Sequence, residues 1–479
     1  CETFAQVRNY IYLCTRKLQK DTDLHENNPQ KDTDLHENNP QKDTDNMFKR
    51  KIYSALDYWK NNHLHEALLV KGARQVGKTT IIRAFGKDNY KHLVEINFEQ
   101  DPDAKSAFSG RRDTETIINR LSVMGYGPFV PGKTLVFLDE IQSCPDARTA
   151  IKFLVEDGRF DYIESGSLLG INYGEVSSFP VGYESQIEMF PMDFEEWLWA
   201  NGIDENVIDV VKQNFIDRKP VDDLIHQQLM RHYKNYLVVG GMPKVVGTYL
   251  SVTDFTEVKR QQRIIIDSYR FDIAKYAGSS KARAKRFFDA IPSQLSKPHR
   301  RYMLNDLEKS GNMSKYADAA QWLSDAGVAL FCYNTHALEM PLEQYENLNL
   351  FKVYLLDTGL LCAMWGDDVQ WQVLQGRLDV NEGALTENFV AAELTRRGHR
   401  LHYYDHKSRN ELDFLLGHGN RLRILEVKSG NSFRNHKALD NALALYDDEI
   451  LEQSIVLCNS NLSQERKILY IPLYMTMFL

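Results

Sequence analysis

The chain has 479 residues, 43% of them hydrophobic and 26% charged, with a formal net charge of −8. The composition is that of an ordinary soluble protein with room for about two to four domains, and the acidic balance excludes bulk electrostatic attraction to nucleic acid, leaving only a local patch for that role. No apolar run approaches the ~18–20 residues of a membrane span, so no membrane partner is expected, and six scattered cysteines without a C-x-x-C pair fit a reducing cytoplasm rather than a disulfide framework or zinc site.

Residues 1–46 read as a leader outside the machine. Lys20 to Gln30 is KDTDLHENNPQ, Lys31 to Gln41 repeats it, and Lys42 to Asp45 begins a third copy. Only Leu24 and Leu35 are aliphatic within the repeats, and Pro29 and Pro40 interrupt any helix, so disorder is expected. Met47 is followed at once by patterned sequence and is the expected natural start.

From Met47 strands and helices alternate. A helix over Tyr53 to Asn61 leads to the apolar run Ala67-Leu68-Leu69-Val70, then Gly72-Ala73-Arg74-Gln75-Val76-Gly77-Lys78-Thr79, then Thr80 and the apolar pair Ile81-Ile82. This is strand, glycine-bounded loop and helix with the G-x-x-x-x-G-K-[ST] spacing, in which backbone N–H groups and a helix N-terminus point at one phosphate. Gly72 to Thr80 are therefore the expected ATP-binding residues, with Lys78 on the β- and γ-phosphates and Thr79 on Mg²⁺. Further strands are expected over His92 to Phe98, Thr134 to Leu138 and Phe160 to Glu164, with a helix over Ala147 to Glu156 between the last two. Such alternation implies a parallel sheet whose ligand lies at the carboxyl ends of the strands. Lys78, Asp139-Glu140 and Ser165-Gly166-Ser167 all fall there. Asp139 is the expected Mg²⁺ ligand and Glu140 the residue that polarises the attacking water, because phosphoryl transfer needs positioning and charge neutralisation above all. Ser165 or Ser167 would sense the γ-phosphate, although a simple turn accounts for either nearly as well.

The order Gly72–Thr79, Leu138-Asp139-Glu140-Ile141-Gln142, Ser165-Gly166-Ser167 and Phe190-Pro191-Met192-Asp193-Phe194-Glu195-Glu196 resembles a prokaryotic AAA-type ATPase family, related to the STAND signalling NTPases, that carries a C-terminal domain of unknown function. Gly240-Gly241-Met242-Pro243 and Leu356-Asp357-Thr358-Gly359 extend the resemblance. It implies that Pro243 contacts adenine from a helical lid. Tyr183 stands where many relatives have a basic residue, which makes Arg270 the candidate for a replacement arginine finger. ATPases of this type often place an arginine across a subunit boundary, so the resemblance also allows a homo-oligomer.

Between Glu257 and Lys309 thirteen Lys or Arg face six acids, Arg260, Arg263, Lys281, Arg283, Lys285, Arg286, Arg300 and Arg301 among them. Helices over Leu304 to Lys309 and Ser314 to Ala326, then strands over Val328 to Tyr333 and Leu350 to Leu356, read as a winged helix, a common DNA reader. The competing reading is a solvated helical face within a lid.

In the last hundred residues, an amphipathic helix over Gly383 to Leu394 precedes strands over Leu401 to Tyr404, Glu411 to Leu416 and Arg423 to Val427. A helix over His436 to Tyr446 and strands at Ile455 to Leu457 and Ile468 to Leu473 follow. Asp413 and Glu426-Val427-Lys428 have the D…E-x-K spacing of the PD-(D/E)XK nuclease superfamily, which this segment resembles. A hard cation needs converging oxygen ligands, here Glu387, Asp413 and Glu426. Lys428, two residues past Glu426, shares its face and would act catalytically on the attacking water. Lys407, Arg409, Arg434 and Lys437 suit a nucleic-acid backbone.

The expected fold is therefore α/β: a leader (1–46), a P-loop NTPase parallel sheet (47–215), a helical lid (216–270), a winged-helix segment (271–375) and a restriction-endonuclease-like α/β domain (381–479). The expected function is ATP hydrolysis coupled to a Mg²⁺-dependent nuclease-like domain acting on DNA. The alternative is a signalling ATPase switch whose C-terminal domain binds DNA or protein without cleavage.

Overall fold

The computed structural model describes residues 47–62, 65–167, 181–252, 254–366, 369–375, 382–405, 411–430, 432–445 and 450–479. The repeat leader, Lys407 and Arg409 lie outside the described residues. Met47–Leu479 forms one compact unit.

Helix α1 (Ile52–Asn61) precedes β1 (Ala67–Lys71), α2 (Lys78–Asn89) and β2 (His92–Asn97). Then come α3 (Thr114–Val123), β3 (Thr134–Asp139), α4 (Pro145–Asp157), β4 (Asp161–Gly166) and β5 (Glu184–Glu188). These five strands form one sheet in the order β2-β3-β4-β1-β5, every pair parallel. Period-two alternation sorts β1 between two cores. Ala67 and Leu69 join Ile117, Leu121, Ile151 and Leu154 of α3 and α4 on one face. Leu68 and Val70 join Leu56, Ile81, Ile82 and Phe85 of α1 and α2 on the other. Covered on both faces, β3 is buried from end to end, as expected of a parallel sheet.

Five helices follow: α5 (Phe194–Ala200), α6 (Glu205–Asp217), α7 (Asp223–Val239), α8 (Pro243–Val252) and α9 (Phe255–Tyr276). Next are α10 (Lys281–Leu295), α11 (Met313–Asp325), the strand pair β6 (Ala329–Thr335) and β7 (Glu346–Leu355), then α12 (Thr358–Met364) and α13 (Val369–Leu374). The chain closes with α14 (Glu382–Arg396), β8 (Leu401–Tyr404), β9 (Leu412–His418), β10 (Arg421–Val427), α15 (Lys437–Leu445), β11 (Leu451–Cys458), β12 (Ser463–Glu465) and β13 (Ile468–Pro472).

One helix, α11, and a hairpin follow the basic segment, but the hairpin is no free wing. β6 pairs antiparallel with β7 on one edge and parallel with β8 on the other. One sheet, β12-β13-β11-β10-β9-β8-β6-β7, thus runs across the junction read between residues 375 and 381. Leu304–Asp306 is a single 3-10 turn rather than a helix reaching Lys309.

The helix expected to be amphipathic, α14, is buried from Ala384 through Leu394. It lies between two layers and has no solvent side. Towards the preceding helices α5 and α7, Glu393 accepts from Phe194 N (3.1 Å) and Thr386 Oγ1 accepts from Tyr233 OH (3.3 Å). Towards the second sheet, Asn388 exchanges two hydrogen bonds with the backbone of Leu355.

Two glycine motifs are explained by close approach. A Cβ on Gly241 would collide with Met192 O, and one on Gly240 with the Asp357 carboxylate. Asp357 also accepts from Gly241 N (2.6 Å) and caps α12 through Leu360 N (3.0 Å). The two motifs are one buried joint.

Candidate nucleotide site and C-terminal carboxylate site

The parallel register brings Asn97 beside Asp139 and Val70 beside Ser165, so the marked residues line one edge of the sheet. The loop after β1 needs left-handed backbone at Gln75 (φ 68°) and Gly77 (φ 102°) before α2 begins at Lys78. Thr79 Oγ1 donates to Asp139 Oδ2 (3.1 Å), and Asn97 Nδ2 donates to the same oxygen (2.9 Å). Ser165, fully buried, donates to the other oxygen, Oδ1. Hydroxyl and carboxylate converge as hard-cation ligands must, so Thr79 and Asp139 fit Mg²⁺. Ser165 braces Asp139. The other serine, Ser167, accepts from Lys78 Nζ at 3.0 Å.

Lys78 also donates to Gly72 O and Ala73 O, both at 2.9 Å. Burial pulls its ammonium down to about 8 against the opposing pull of Glu140 and Asp139. Glu140 is held in left-handed backbone (φ 53°) directly after Asp139 and accepts from Gln142 Nε2 at 2.5 Å. Burial raises its carboxyl above the usual range.

The variable loop residues face the lid. Arg74 donates to Asp272 of α9 (2.8 Å) and to Glu99 (3.3 Å), its carbonyl accepts from Tyr269 OH (3.0 Å), and Gln75 reaches Ser268 (3.3 Å). Pro243, first residue of α8, sits 3.6 Å from where a Gly77 Cβ would lie. Thr80 is exposed at the start of α2. Arg270 is not at the loop: two positions from Asp272, it is turned to the opposite side of α9, where Asp289 (2.8 Å) and Asp267 (3.0 Å) hold it. Tyr183 donates to Glu156 at 2.6 Å.

Sequence reasoning missed Arg50. Its buried guanidinium donates to Val76 O in the loop (3.0 Å), Phe190 O (2.7 Å) and Glu196 (3.0 Å). The signal was the acidic Asp193-Phe194-Glu195-Glu196, whose Asp193 and Glu196 form a capping box on α5 and require cations, which Arg50 and Lys51 provide. A cleft of about 620 Å³ runs past Gly72 and Ser167 to Tyr333 and Arg400, beside the phosphate loop and apart from Lys78 and Asp139.

In the C-terminal region the antiparallel register of β9 and β10 pairs Phe414 with Leu425, and Asp413 and Glu426 are the next residue along each strand, close enough for the charge of Asp413 to act on Glu426. Asp413 accepts from Val427 N (2.8 Å), Lys428 donates to Glu426 Oε1 (2.6 Å), and Glu426 Oε2 is buried without a partner. Burial, then the charge of Asp413, raises the Glu426 carboxyl to about 8. Glu387 does not complete a ligand set. It is paired with Arg300, lies 3.8 Å from Lys352 and accepts from Tyr354 OH at 3.1 Å. Among the described residues no group of three His, Cys, Asp or Glu is arranged to hold a metal ion. As built, the three carboxylates therefore do not fit Mg²⁺, in contrast to Thr79 and Asp139.

The basic excess before β6 is largely spent on internal pairs: Arg260 with Glu257, Arg283 and Arg286 with Glu308, Arg300 with Glu387, Arg301 with Asp405. Arg434 likewise pairs with Glu465 (2.8 Å). Among the described residues no helix is long and apolar enough to cross a membrane, and Cys144, Cys332, Cys362 and Cys458 are free thiols, all buried.

Fold and loop together define a domain of the P-loop NTPase type. Residues 64–198 match the family described as AAA domain, and residues 230–370 and 382–475 match two families described only as domains of unknown function, DUF8612 and DUF4143. No curated protein matches the chain. Solved structures similar to it include the Walker-type ATPase PABY2304 of Pyrococcus abyssi, at 13% identity and TM-score 0.40, covering 67% of this chain and 97% of that one. The Aeropyrum pernix ORC1 protein in complex with DNA gives 12%, 0.28, 70% and 94% in the same order, and a point variant of Thermotoga maritima RuvB gives 14%, 0.26, 58% and 86%. Scores this low carry no functional inference.

Proposed function

We propose that this chain is an ATP-hydrolysing switch whose nucleotide state governs a nuclease-like C-terminal site directed at nucleic acid. The observation that carries the reading is the convergence of Thr79 and Asp139 within 3.1 Å of each other, with Glu140 next in sequence. Thr79 and Asp139 would hold Mg²⁺, which neutralises charge developing on the transferred phosphoryl group. Gly72 to Thr80 would cradle the phosphates, Lys78 would exchange its loop carbonyls for β- and γ-oxygens, and Pro243 would meet the base. Glu140 would orient the water. Arg74, tied to Asp272, gives α9 a direct means of registering a phosphate at the loop.

For the C-terminal site, the D…E-x-K spacing of Asp413, Glu426 and Lys428 supports a nuclease-like role toward DNA, in which Lys428 would position the water; metal-dependent cleavage would require Glu387 to leave its present partners. A second reading, binding of DNA or protein without cleavage, is favoured by the engagement of Glu387 with Arg300 and Lys352. DNA incubated with the protein and Mg²⁺ or Mn²⁺, with and without ATP, separates them. Cleavage by wild type, lost in Asp413→Ala and altered in Lys78→Ala, supports the first reading. Intact DNA under every condition gives the second.

A further inference from the structure

The last turn of α11 docks on the phosphate-binding loop. Val328 N donates to Leu323 O (3.2 Å) and Gly327 N to Ser324 O (2.9 Å), the paired bonds of a Schellman motif. Gly327 supplies the left-handed backbone (φ 67°) that such an ending requires. The motif fixes the path by which the chain leaves α11 for β6, and it brings the turn to the loop: a Cβ built on Gly327 would lie 3.6 Å from Ala73 N. The second sheet thus takes its first strand from a turn that touches the residue after Gly72.

Trp322 stands on that last turn, its carbonyl accepting from Ala326 N at 2.9 Å. With Ala326 and Val328 it closes a cavity of about 10 Å³ whose other walls are Arg74, Ser167, Tyr269 and Asp272. That is room for about one water or one oxygen of a ligand. Trp322 is 6% exposed, and its indole Nε1 is buried without a hydrogen-bond partner among the described residues. A buried donor with no acceptor is destabilising and calls for an explanation. Trp197 and Trp199 also leave Nε1 unpartnered, but neither forms part of this cavity.

The position of the cavity selects the acceptor. In a G-x-x-x-x-G-K-[ST] loop the lysine reaches the β- and γ-phosphates. Lys78 donates to Ser167 Oγ (3.0 Å), and Ser167 is one wall of the cavity, so the space opens off the end of the loop that takes the terminal phosphate. Its donors suit an anion: the Arg74 guanidinium, the Ser167 hydroxyl and the Trp322 indole. Asp272, the acid in the wall, is engaged by Arg74 at 2.8 Å. Ala326 and Val328 are apolar and buried, and in such surroundings a hydrogen bond to a charged oxygen is stronger than in water.

We propose that Trp322 is a nucleotide contact, its indole N–H donating to an oxygen of the terminal phosphate of a bound nucleoside triphosphate. The proposal rests on the nucleotide site proposed above and adds to it a residue from outside the parallel sheet, one that distinguishes triphosphate from diphosphate.

Calorimetric titration of the full chain with Mg²⁺ and either ADP or the non-hydrolysable imido analogue of ATP tests it. Trp322→Phe keeps an aromatic ring and removes the N–H. It weakens binding of the triphosphate analogue about tenfold, the order of one hydrogen bond to a charged group, and leaves ADP affinity unchanged. Trp371→Phe, at an exposed position of α13, alters neither. If Trp322→Phe does not melt cooperatively, wild-type protein labelled with ¹⁵N-tryptophan carries the test. One of its six indole N–H resonances shifts with the triphosphate analogue and stays in place with ADP; no resonance that separates the two nucleotides overturns the proposal. In the calorimetry, wild-type affinities in Trp322→Phe overturn it, and so does an equal loss for both nucleotides, which makes the ring mere packing between turn and loop. Either result leaves nucleotide binding at the loop intact, whereas a wild-type protein that binds neither nucleotide refutes both readings.

Discussion

Arg74 of the phosphate-binding loop and Asp272 of α9 form an ion pair, Nη1 to Oδ1 at 2.8 Å, that clamps the lid helix on the nucleotide loop. The Asp272 carboxylate competes with any phosphate for the same guanidinium, and burial has already raised its pKa. Asp272→Asn should therefore tighten ATP binding about three- to tenfold by removing a repelling charge near the phosphates. Titration with a fluorescent ATP analogue reads the change; equal or weaker affinity would show that the pair is merely structural.

Replacing Glu140 with Gln keeps its size and its contact with Gln142 but removes the charge that polarises water. ATP turnover should fall on the order of 100-fold or more with nucleotide affinity nearly intact, whereas Lys78→Ala should lose affinity. Phosphate release and equilibrium binding, measured on the same preparations, separate the two effects.

Arg50→Ala should destabilise the whole unit by about 3–5 kcal/mol, since it strands the buried Glu196 carboxylate and frees Val76 O. Denaturant unfolding measures it. A loss of less than about 1 kcal/mol would mean that the pair behaves like a surface salt bridge.

His232 on α7 gives the pH dependence. Burial, helped by Arg231, lowers its pKa to about 4. The unfolded chain, titrating near ~6.5, then binds more protons than the folded one between those values. Stability consequently falls as pH drops from about 6.5 towards 4 and is insensitive to this group above that window. His232→Gln should flatten the slope of melting temperature against pH there; an unchanged slope assigns acid sensitivity to other groups.

Local signals were legible in the sequence. Gly72 to Thr79, Asp139-Glu140 and the alternation of β1 each occupy a few consecutive residues whose spacing dictates one backbone path. Pairings across the chain were not. Nothing in the neighbourhood of Arg300 specifies Glu387, and nothing near Arg50 specifies Val76, because such partners are chosen by topology. The strand order hid the same way: β6 and β7 read as a wing because local pattern reports a hairpin and is silent about what lies on its outer edge. The helix α14 read as amphipathic, yet its polar residues are buried as well: Glu387 and Asn388 meet Tyr354 and Leu355 of β7, and Glu393 meets Phe194 of α5.

The shared sheet also dictates an order of events at the ribosome. β6 is complete at Thr335, but its neighbour β8 begins only at Leu401, so the nascent chain carries an open, hydrogen-bonding edge while everything between them is synthesised. A chain released before β8 would present that edge to any passing strand. Premature termination in this protein should therefore yield not a free ATPase half but an aggregating one, and interruption after β7 will be worse than interruption before β6.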